Sequence, residues 1–328
     1  MSSLCYNFEK LLINSISKQS WSKHNSALNL FKLFCNKYNH SHNLPIQLET
    51  MRAFTTWALT EKGLQPTTVK SYISSLKIIH ELSNLPYVDF AKDKCIVLLF
   101  KGAENMFTNN KPARFAMNIH LLKIIGHRIA ESNWCDFSKQ VVWAACTLCF
   151  FTACRMGEIV SNNESSWDPK KTLLWENVHF YQDYLLIFLP FTKTTGFKGA
   201  VIDIFPIKNS PCCPFKAMEK LLSLAESETC FDKKKPVFAF KSGKCLTTKK
   251  LNNILQELLQ DFCDESGKVT CHSFRAAIPS VIASHPDKSK ISEILEWGRW
   301  SSNCYKFYTR HEKLKRKLLF DKIVNLLE

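Results

Sequence analysis

Apolar residues recur at three- and four-residue intervals through most of the chain, the spacing that lines one side of an α-helix. Over residues 20–38, SWSKHNSALNLFKLFCNKY, the positions Trp21, Leu28, Phe31, Phe34, Cys35 and Tyr38 fall near this spacing, with Lys and Asn between them. The turn HSHNLP follows, its two histidines read as loop residues, and residues 48–60 form a second predicted helix. GLQPTT combines a breaker with a helix start, Pro66 standing in the first turn where a backbone N–H has no intrahelical partner. VKSYISSLKIIHEL then carries Val69, Tyr72, Ile73, Leu76, Ile79 and Leu82 on one face. The opposite face offers Lys70, Ser71, Ser74, Ser75 and Lys77, small polar and basic groups suited to approaching phosphates. A solvated helix face has the same composition.

Periodicity is lost after about residue 107, in TNNKPARFAMN, where Pro112 sits beside Lys111 and Arg114. This predicts a linker over 108–117 between two domains, 1–107 and 118–328. A second helical region runs from about 118 to 161. It gives way to the one sheet pattern, KTLLWENVHF and then YLLIFLPFTKTTGFKGAVIDIFP, in which β-rich runs flank a turn bearing Lys and Gly. Helices resume near 214 and continue to the end. The expected fold class is mainly α with a small antiparallel β-sheet, without internal repeats or low-complexity tracts.

Charge changes the picture more than length does. The 328 residues suffice for two domains, and 44 Lys and Arg against 29 Asp and Glu leave a formal net charge of +15. That excess favours a polyanionic partner, nucleic acid before membrane, since no apolar run reaches the ~20 residues a bilayer span needs and no lipidation motif is evident. The start MSSLCYNFEKLL has neither the charge pattern nor the cleavage site of a secretory signal. The 14 cysteines are scattered through apolar segments such as VVWAACTLCFFTAC and read as reduced core thiols of an intracellular protein. Cys146 and Cys149 form a CxxC without a second pair at zinc-finger distance, and are assigned to core. Cys212 and Cys213, in SPCCPF, fit a turn entering a helix. Neither a Walker loop nor GxGxxG is present, and the acidic residues show no metal-binding arrangement.

Chemistry-bearing residues concentrate elsewhere. In FFTACRMGEIVS, Arg155 and Glu158 lie three apart in a predicted helix and would share a face; the apolar FFTAC before them makes an unpaired guanidinium costly. TCHSFRAAIPS repeats the spacing with His272 and Arg275. The hairpin turn PFTKTTGFKG offers Lys193 on a strand end, from which a long side chain can cross a cleft. WGRWSSNCYKFYTR, residues 297–310, supplies Tyr305 and Tyr308. A free phenol has a pKa of about 10 and is a poor nucleophile at neutral pH, so a reactive Tyr needs cationic surroundings. Two arginines, a lysine, a histidine and a tyrosine are what phosphodiester attack without metal requires: fork donors for the nonbridging oxygens, a proton donor for the leaving oxygen and a nucleophile. Singly, each has a bland counterpart: an ion pair, a helix cap with a surface Arg, an ordinary hairpin turn, aromatic packing.

In order along the chain, ACRMGE, FTKTTG, CHSFR, GRWSS and KFYTR resemble the signature of the tyrosine recombinases, the phage-integrase-like family. Within it the sequence most resembles the recombinases of eukaryotic Crypton and DIRS-type mobile elements. The resemblance spans most of residues 120–310, and GLQPTTVKSYISSLKIIHEL resembles the last part of a family core-binding domain. It implies a helical, SAM-like core-binding DNA-binding domain over 1–107 and a catalytic domain with a C-terminal helix over 118–328, closing on duplex DNA as a C-shaped clamp. Carried over by position, Arg155 and Arg275 would clamp the scissile phosphate, Lys193 would protonate the leaving 5′ oxygen, His272 would hydrogen-bond the phosphate or assist proton transfer, and Glu158 would orient the cationic groups. Trp300 stands where many relatives have His; its indole can donate a hydrogen bond but cannot exchange a proton. Tyr308, eight residues after Trp300, would be the nucleophile, with Tyr305 one turn earlier as the competing choice.

The same resemblance implies no cofactor and no metal, double-stranded DNA at element ends or target sites as partner, a homodimer or homotetramer on that DNA, and a nuclear location. Lys70, Ser71, Ser74, Lys77, Lys111 and Arg114 are the candidate DNA contacts. Pro279, four residues after Arg275, departs from a continuous helix and predicts a kink or a helix start. The basic tail from Arg310, with Leu314, Leu318, Ile323, Leu326 and Leu327, would pack on its own domain or on a neighbouring subunit. Competing expectations are a type IB topoisomerase-like enzyme and a catalytically inactive DNA-binding descendant of a mobile element.

Overall fold

The computed structural model describes residues 3–107, 117–229, 231–262, 269–284 and 298–299. The chain divides into two compact units, Met1–Lys111 and Pro112–Glu328.

The first unit is helical: α1 (Ser3–Asn14), α2 (Lys18–Tyr38), α3 (Leu48–Thr60), α4 (Pro66–Leu82) and α5 (Lys94–Met106). Local chemistry sets the ends. Ser17 Oγ accepts from the Ser20 N–H at 3.2 Å to cap α2, which stops at Asn39 in the left-handed region, φ 53°. Asp93 Oδ1 accepts from the Ile96 N–H at 3.0 Å to cap α5, and the same carboxylate takes the Arg52 fork at 3.1 and 2.6 Å, tying α5 to α3. Arg52 first, then the cap, hold the Asp93 carboxyl below its ordinary range. The core gathers Phe31, Phe34, Met51, Phe54, Trp57, Ile73, Leu76 and Phe90. His80 is buried in α4, where its Nε2 accepts from the Ile46 N–H at 3.0 Å; its Nδ1 must then carry the proton that meets the Leu76 carbonyl at 2.7 Å.

The second unit contains α6 (Ile119–Glu131), α7 (Asp136–Thr152), α8 (Met156–Ile159), β1 (Val178–Phe180), β2 (Leu185–Leu189), β3 (Ala200–Ile204), α9 (Pro214–Glu226), α10 (Thr248–Leu258) and α11 (Cys271–Ser284). α7 is buried along nearly its whole length, which is why its sequence is apolar on every side. It packs against α6, α9 and α11. Gly126 of α6 lets that helix approach: a Cβ there would lie 2.8 Å from the Trp143 ring. The sheet is antiparallel in the order β1-β2-β3, with Ile187 opposite both Val178 and Ile202. Leu185, Ile187 and Leu189 point into the core and Phe188 outward, the alternation of a sheet packed on one face.

Four expectations change. The helical region over 118–161 is three helices, broken at Ser132–Cys135 and at Ala153–Arg155. The described residues between 227 and 247 are turns and isolated bridges, Leu174 with Pro236, Ala239 with Cys245 and Ser161 with Thr247, because Pro236 and Gly243 punctuate a stretch without helical periodicity. α11 runs through Pro279 from Cys271 to Ser284, so that residue neither starts nor ends the helix. Ser75 turns inward, since it lies three and four residues from Tyr72 and Ile79 of the apolar face, and its hydroxyl donates to the Ser71 carbonyl at 3.0 Å.

Among the described residues ten cysteines are free thiols, eight of them buried, while Cys95 and Cys135 are exposed. Burial pushes the Cys146 and Cys149 thiols up, Cys149 well above the usual range, and raises Cys271 to about 12. No helix among the described residues is long and apolar enough to cross a membrane.

Candidate active site

The site begins where α7 ends. Ala153 takes φ 49°, ψ 25°, a left-handed conformation that for an L-residue with a Cβ costs roughly 1–2 kcal/mol. The chain turns there, and Arg155 follows in an extended conformation, φ −72°, ψ 132°, as the residue preceding α8. The expectation that Arg155 and Glu158 share a helix face is therefore corrected. They meet because Glu158, in the first turn of α8, reaches back: its Oε2 accepts from the Arg155 backbone N–H at 3.1 Å and its Oε1 from Arg155 Nη1 at 2.8 Å. The carboxylate side chain is 5% exposed and the guanidinium side chain 31%, so the acid is enclosed and the base faces outward.

Arg155 Nη1 also lies 3.4 Å from Thr194 Oγ1, in the turn joining β2 to β3. Three threonines knit this turn. Thr192 Oγ1 accepts from the N–H groups of Thr194 and Thr195 at 3.3 and 3.0 Å, and Thr195 Oγ1 donates to the Gly199 carbonyl at 2.7 Å. With that proton committed, Thr192 is the donor in the 2.7 Å contact between the two hydroxyls. Lys193 is exposed at this turn, four residues beyond the end of β2 instead of on a strand end, and it is the chain neighbour of the Thr194 that meets Arg155.

Arg275 comes from the first turn and a half of α11 and is only 1% exposed. Its Nη1 donates to the Ala153 carbonyl at 2.6 Å and its Nη2 to the Gly298 carbonyl at 3.0 Å. The start of α11 is held by the Asn252 side chain, whose Oδ1 accepts from the Cys271 N–H at 2.8 Å, and by the Ser273 hydroxyl, which accepts from the Thr270 N–H at 3.1 Å. His272 stands three residues before Arg275 on this helix, half-buried.

One member of the cluster was not assigned from the sequence. Arg299, φ 52°, donates through Nη2 to Glu158 Oε2 and to Cys154 Sγ, both at 3.2 Å. Its Nη1 is buried, and among the described residues nothing accepts from it. The signal was present in GRWSS, one residue before Trp300, but a left-handed non-glycine residue carries no mark in the sequence. Burial raises the Cys154 thiol and the positive charge of Arg299 opposes that rise.

Arg155 and Arg299 thus share the Glu158 carboxylate, while Arg275 holds the backbone carbonyls of Ala153 and Gly298 beside them. The excess of positive charge, partly enclosed, favours an anion with several acceptor oxygens. Trp300, Tyr305 and Tyr308 lie outside the described residues, as do Lys111 and Arg114. Lys70, Ser71, Ser74 and Lys77 are on α4 of the first unit. There Lys70 pairs with Glu104 at 3.0 Å, Lys77 approaches Glu81 at 3.8 Å and Ser74 Oγ donates to the Lys70 carbonyl at 2.9 Å. Such exposed pairs are worth ~0–1 kcal/mol and do not commit either lysine. Among the described residues no group of three His, Cys, Asp or Glu comes together as a metal site would need.

No protein-family model and no curated protein matches the sequence. Solved structures do match. The XerH site-specific recombinase bound to palindromic difH substrate, a post-cleavage complex, aligns with 90% of this chain and 78% of its own at 14% identity, TM-score 0.61. A lambda integrase tetramer bound to a Holliday junction aligns with 94% of this chain and 78% of its own at 12% identity, TM-score 0.58. A lambda integrase dimer bound to a COC′ core site aligns with 92% and 75% at 14% identity, TM-score 0.57. At such identities the likeness is one of fold: the chain, mainly helical with a small antiparallel sheet, is similar in fold to these recombinase and integrase structures.

Proposed function

We propose that this protein is a site-specific DNA recombinase of a eukaryotic mobile element of the Crypton or DIRS type, cutting and rejoining strands through a 3′-phosphotyrosine. The observation that carries the proposal is convergence. Residues 153–158, the Lys193–Thr194 turn, the start of α11 and residues 298–299 are remote in sequence, yet hydrogen bonds join them around Glu158 and Arg275. These are the segments that carry the family motifs, in family order, and the neighbours of the same fold are recombinase and integrase complexes with DNA.

In this mechanism the Tyr308 phenol gives up its proton, to His272 or to solvent, as its oxygen attacks the scissile phosphorus. The P–O5′ bond breaks, Lys193 delivers a proton to the departing 5′ oxygen, and the 3′ phosphate remains esterified to Tyr308. A 5′ hydroxyl from the partner strand reverses the step and releases the tyrosine, so the phosphodiester's energy is conserved without ATP. Arg155, outward-facing and held by Glu158, would donate to a nonbridging oxygen. Arg275 supplies positive charge from below; to touch the phosphate it would exchange the Gly298 carbonyl for a nonbridging oxygen. His272, beside it on α11, would share that oxygen or move a proton, and Trp300 would position the phosphate by packing. Helix α4 would contribute Lys70, Ser71, Ser74 and Lys77 to contacts with the DNA backbone, and Lys111 and Arg114 would add to them. Recombination joins two duplexes, so two or four copies would assemble on DNA, in the nucleus where such an element resides.

The test is covalent trapping. The full chain is incubated in EDTA with a pool of nicked suicide duplexes carrying a randomised core, and SDS-resistant adducts are recovered and sequenced. Wild-type protein and Tyr305→Phe should form an adduct on a recurring sequence, and Tyr308→Phe should not. Tight, sequence-selective DNA binding without an adduct would instead support an inactive DNA-binding descendant; relaxation of supercoils by a monomer would support the topoisomerase-like alternative.

A further inference from the structure

Arg299 combines two costs that a fold tolerates only under constraint. Its backbone is left-handed at φ 52°, and its side chain, 25% exposed, keeps Nη1 buried with no acceptor among the described residues. The other terminal nitrogen of the same guanidinium is used twice: Nη2 reaches Glu158 Oε2 and Cys154 Sγ, each at 3.2 Å. The Glu158 carboxylate is consequently divided, one oxygen for the Arg155 guanidinium and the other shared between Arg299 and the Arg155 backbone. A carboxylate held on one side only could rotate about its last torsion and carry Arg155 with it. Held on both sides, it fixes the Arg155 fork in one direction. Arg275 closes the same ring from beneath, because it grips the carbonyls of Ala153 and Gly298, the residues just before Cys154 and Arg299.

We infer that Arg299 is a positioning residue that sets Arg155 through Glu158 and thereby couples the 298–299 segment, which leads to Trp300, to the phosphate-binding guanidinium. The phosphate role of Arg155 rests on the recombinase assignment above; the Arg299–Glu158–Arg155 relay does not. A latch that only holds the fold together would lower stability in proportion to the bonds lost. It would leave the chemical step intact in protein that remains folded.

Two measurements separate these outcomes and separate both from failure of the assignment. The first uses the adduct-forming duplex recovered by trapping, with single-turnover adduct formation at saturating protein and anisotropy for affinity on uncleavable duplex. Arg299→Gln should slow adduct formation about 10²-fold, the scale of a misplaced transition-state group, while affinity changes by less than about threefold. Arg299→Lys, which keeps one donor toward Glu158, should recover about tenfold of that loss. Arg299→Gln with Glu158→Gln should be no slower than Glu158→Gln alone, since residues acting as one unit do not add. Multiplying losses, or a rate loss matched by an equal affinity loss, would overturn the inference.

The second measurement needs no DNA. Thermal unfolding of Arg155→Gln, Arg299→Gln and the double variant should be non-additive, although the two arginines meet only through Glu158, and the coupling should vanish when Glu158→Gln is added. Additive shifts would overturn the relay even where adducts form. Coupling without any wild-type adduct would leave the relay standing and remove the recombinase assignment.

Discussion

Gly199 and Gly196 bracket the far side of the turn that presents Lys193, and replacing each by alanine separates two physical terms. Both glycines are left-handed, φ +67° and +60°. At Gly196 a Cβ would meet nothing within 4 Å, so Gly196→Ala carries the conformational term alone. That term is roughly 1–2 kcal/mol, offset by roughly 0.4–1 kcal/mol because alanine restricts the unfolded chain, leaving a net loss of about 1 kcal/mol. At Gly199 the Cβ would stand 2.3 Å from the Leu189 carbonyl oxygen and 2.9 Å from the Phe188 ring. The nearer atom is backbone at the end of β2, paired across to Ala200, and cannot swing aside as a side-chain tip could. Separating those atoms to van der Waals distance is an overpacking problem of ~1–3 kcal/mol, so Gly199→Ala should lose about 2–4 kcal/mol in total. For a unit of this size ~1 kcal/mol shifts Tm by about 2–4 °C, which predicts a small shift for Gly196→Ala and one two to four times larger for Gly199→Ala. Scanning calorimetry of the full chain, following the transition of the sheet-containing unit, measures both. Equal shifts would show that the Leu189 contact relaxes without cost and refute the reasoning from close approach. The same displacement moves the Thr195 bond to the Gly199 carbonyl, so Gly199→Ala should also slow any reaction that needs Lys193, while Gly196→Ala should leave it close to wild type.

Asp93 gives a pH dependence to the first unit. Its folded-state carboxyl is held below the ordinary range by Arg52 and by the α5 cap, so the stability it contributes is present above the unfolded-state value near pH ~3.9 and is lost as pH falls through the lower folded value. Thermal midpoints of wild type and Asp93→Asn, which keeps a cap acceptor but not the charge, should converge on acidification from neutral pH to pH ~3 and diverge above it; a constant gap would refute the linkage. Native alkylation followed by peptide mass spectrometry should modify Cys95 and Cys135 and spare Cys146, Cys149 and Cys271 until the protein is unfolded, since the latter three are buried with raised thiols. Modification of Cys149 in the native protein would place α7 nearer solvent than the structure has it.

Helices were legible where one face alone is buried. The apolar set of α4 and the proline at its start mark the element unambiguously, and Ser75 was misplaced only because a small residue at the edge of that face gives no hydropathic warning. The hairpin was legible because β-rich runs flank a turn bearing Lys and Gly, whereas the inward alternation of Leu185, Ile187 and Leu189 is hidden in the uniformly apolar LLIFL. Pairing of Arg155 with Glu158 was also readable from spacing, but its geometry was not. A three-residue interval serves a helix face and a first-turn carboxylate reaching back equally well, and only the conformation of Ala153 decides between them. Arg299 escaped for the same reason: with glycine at either position the turn would have announced itself, whereas Ala and Arg have no preference for positive φ.

Those two residues explain why so large a side chain as Arg275 is buried. Each left-handed residue costs roughly 1–2 kcal/mol, and the two flank the points where the chain must turn to bring Cys154, Arg155 and Glu158 against Arg299. Arg275 grips the carbonyl of one, Ala153, and the carbonyl immediately before the other, at Gly298. Hydrogen bonds to a charged donor contribute roughly 1.5–3 kcal/mol each, enough to outweigh the backbone strain at both turns. An apolar side chain of similar volume would fill the space but leave two buried carbonyls unsatisfied and both turns unsupported. The guanidinium therefore fixes the backbone from which Arg155 and Arg299 project, and the positive charge it places beneath them comes with that structural role.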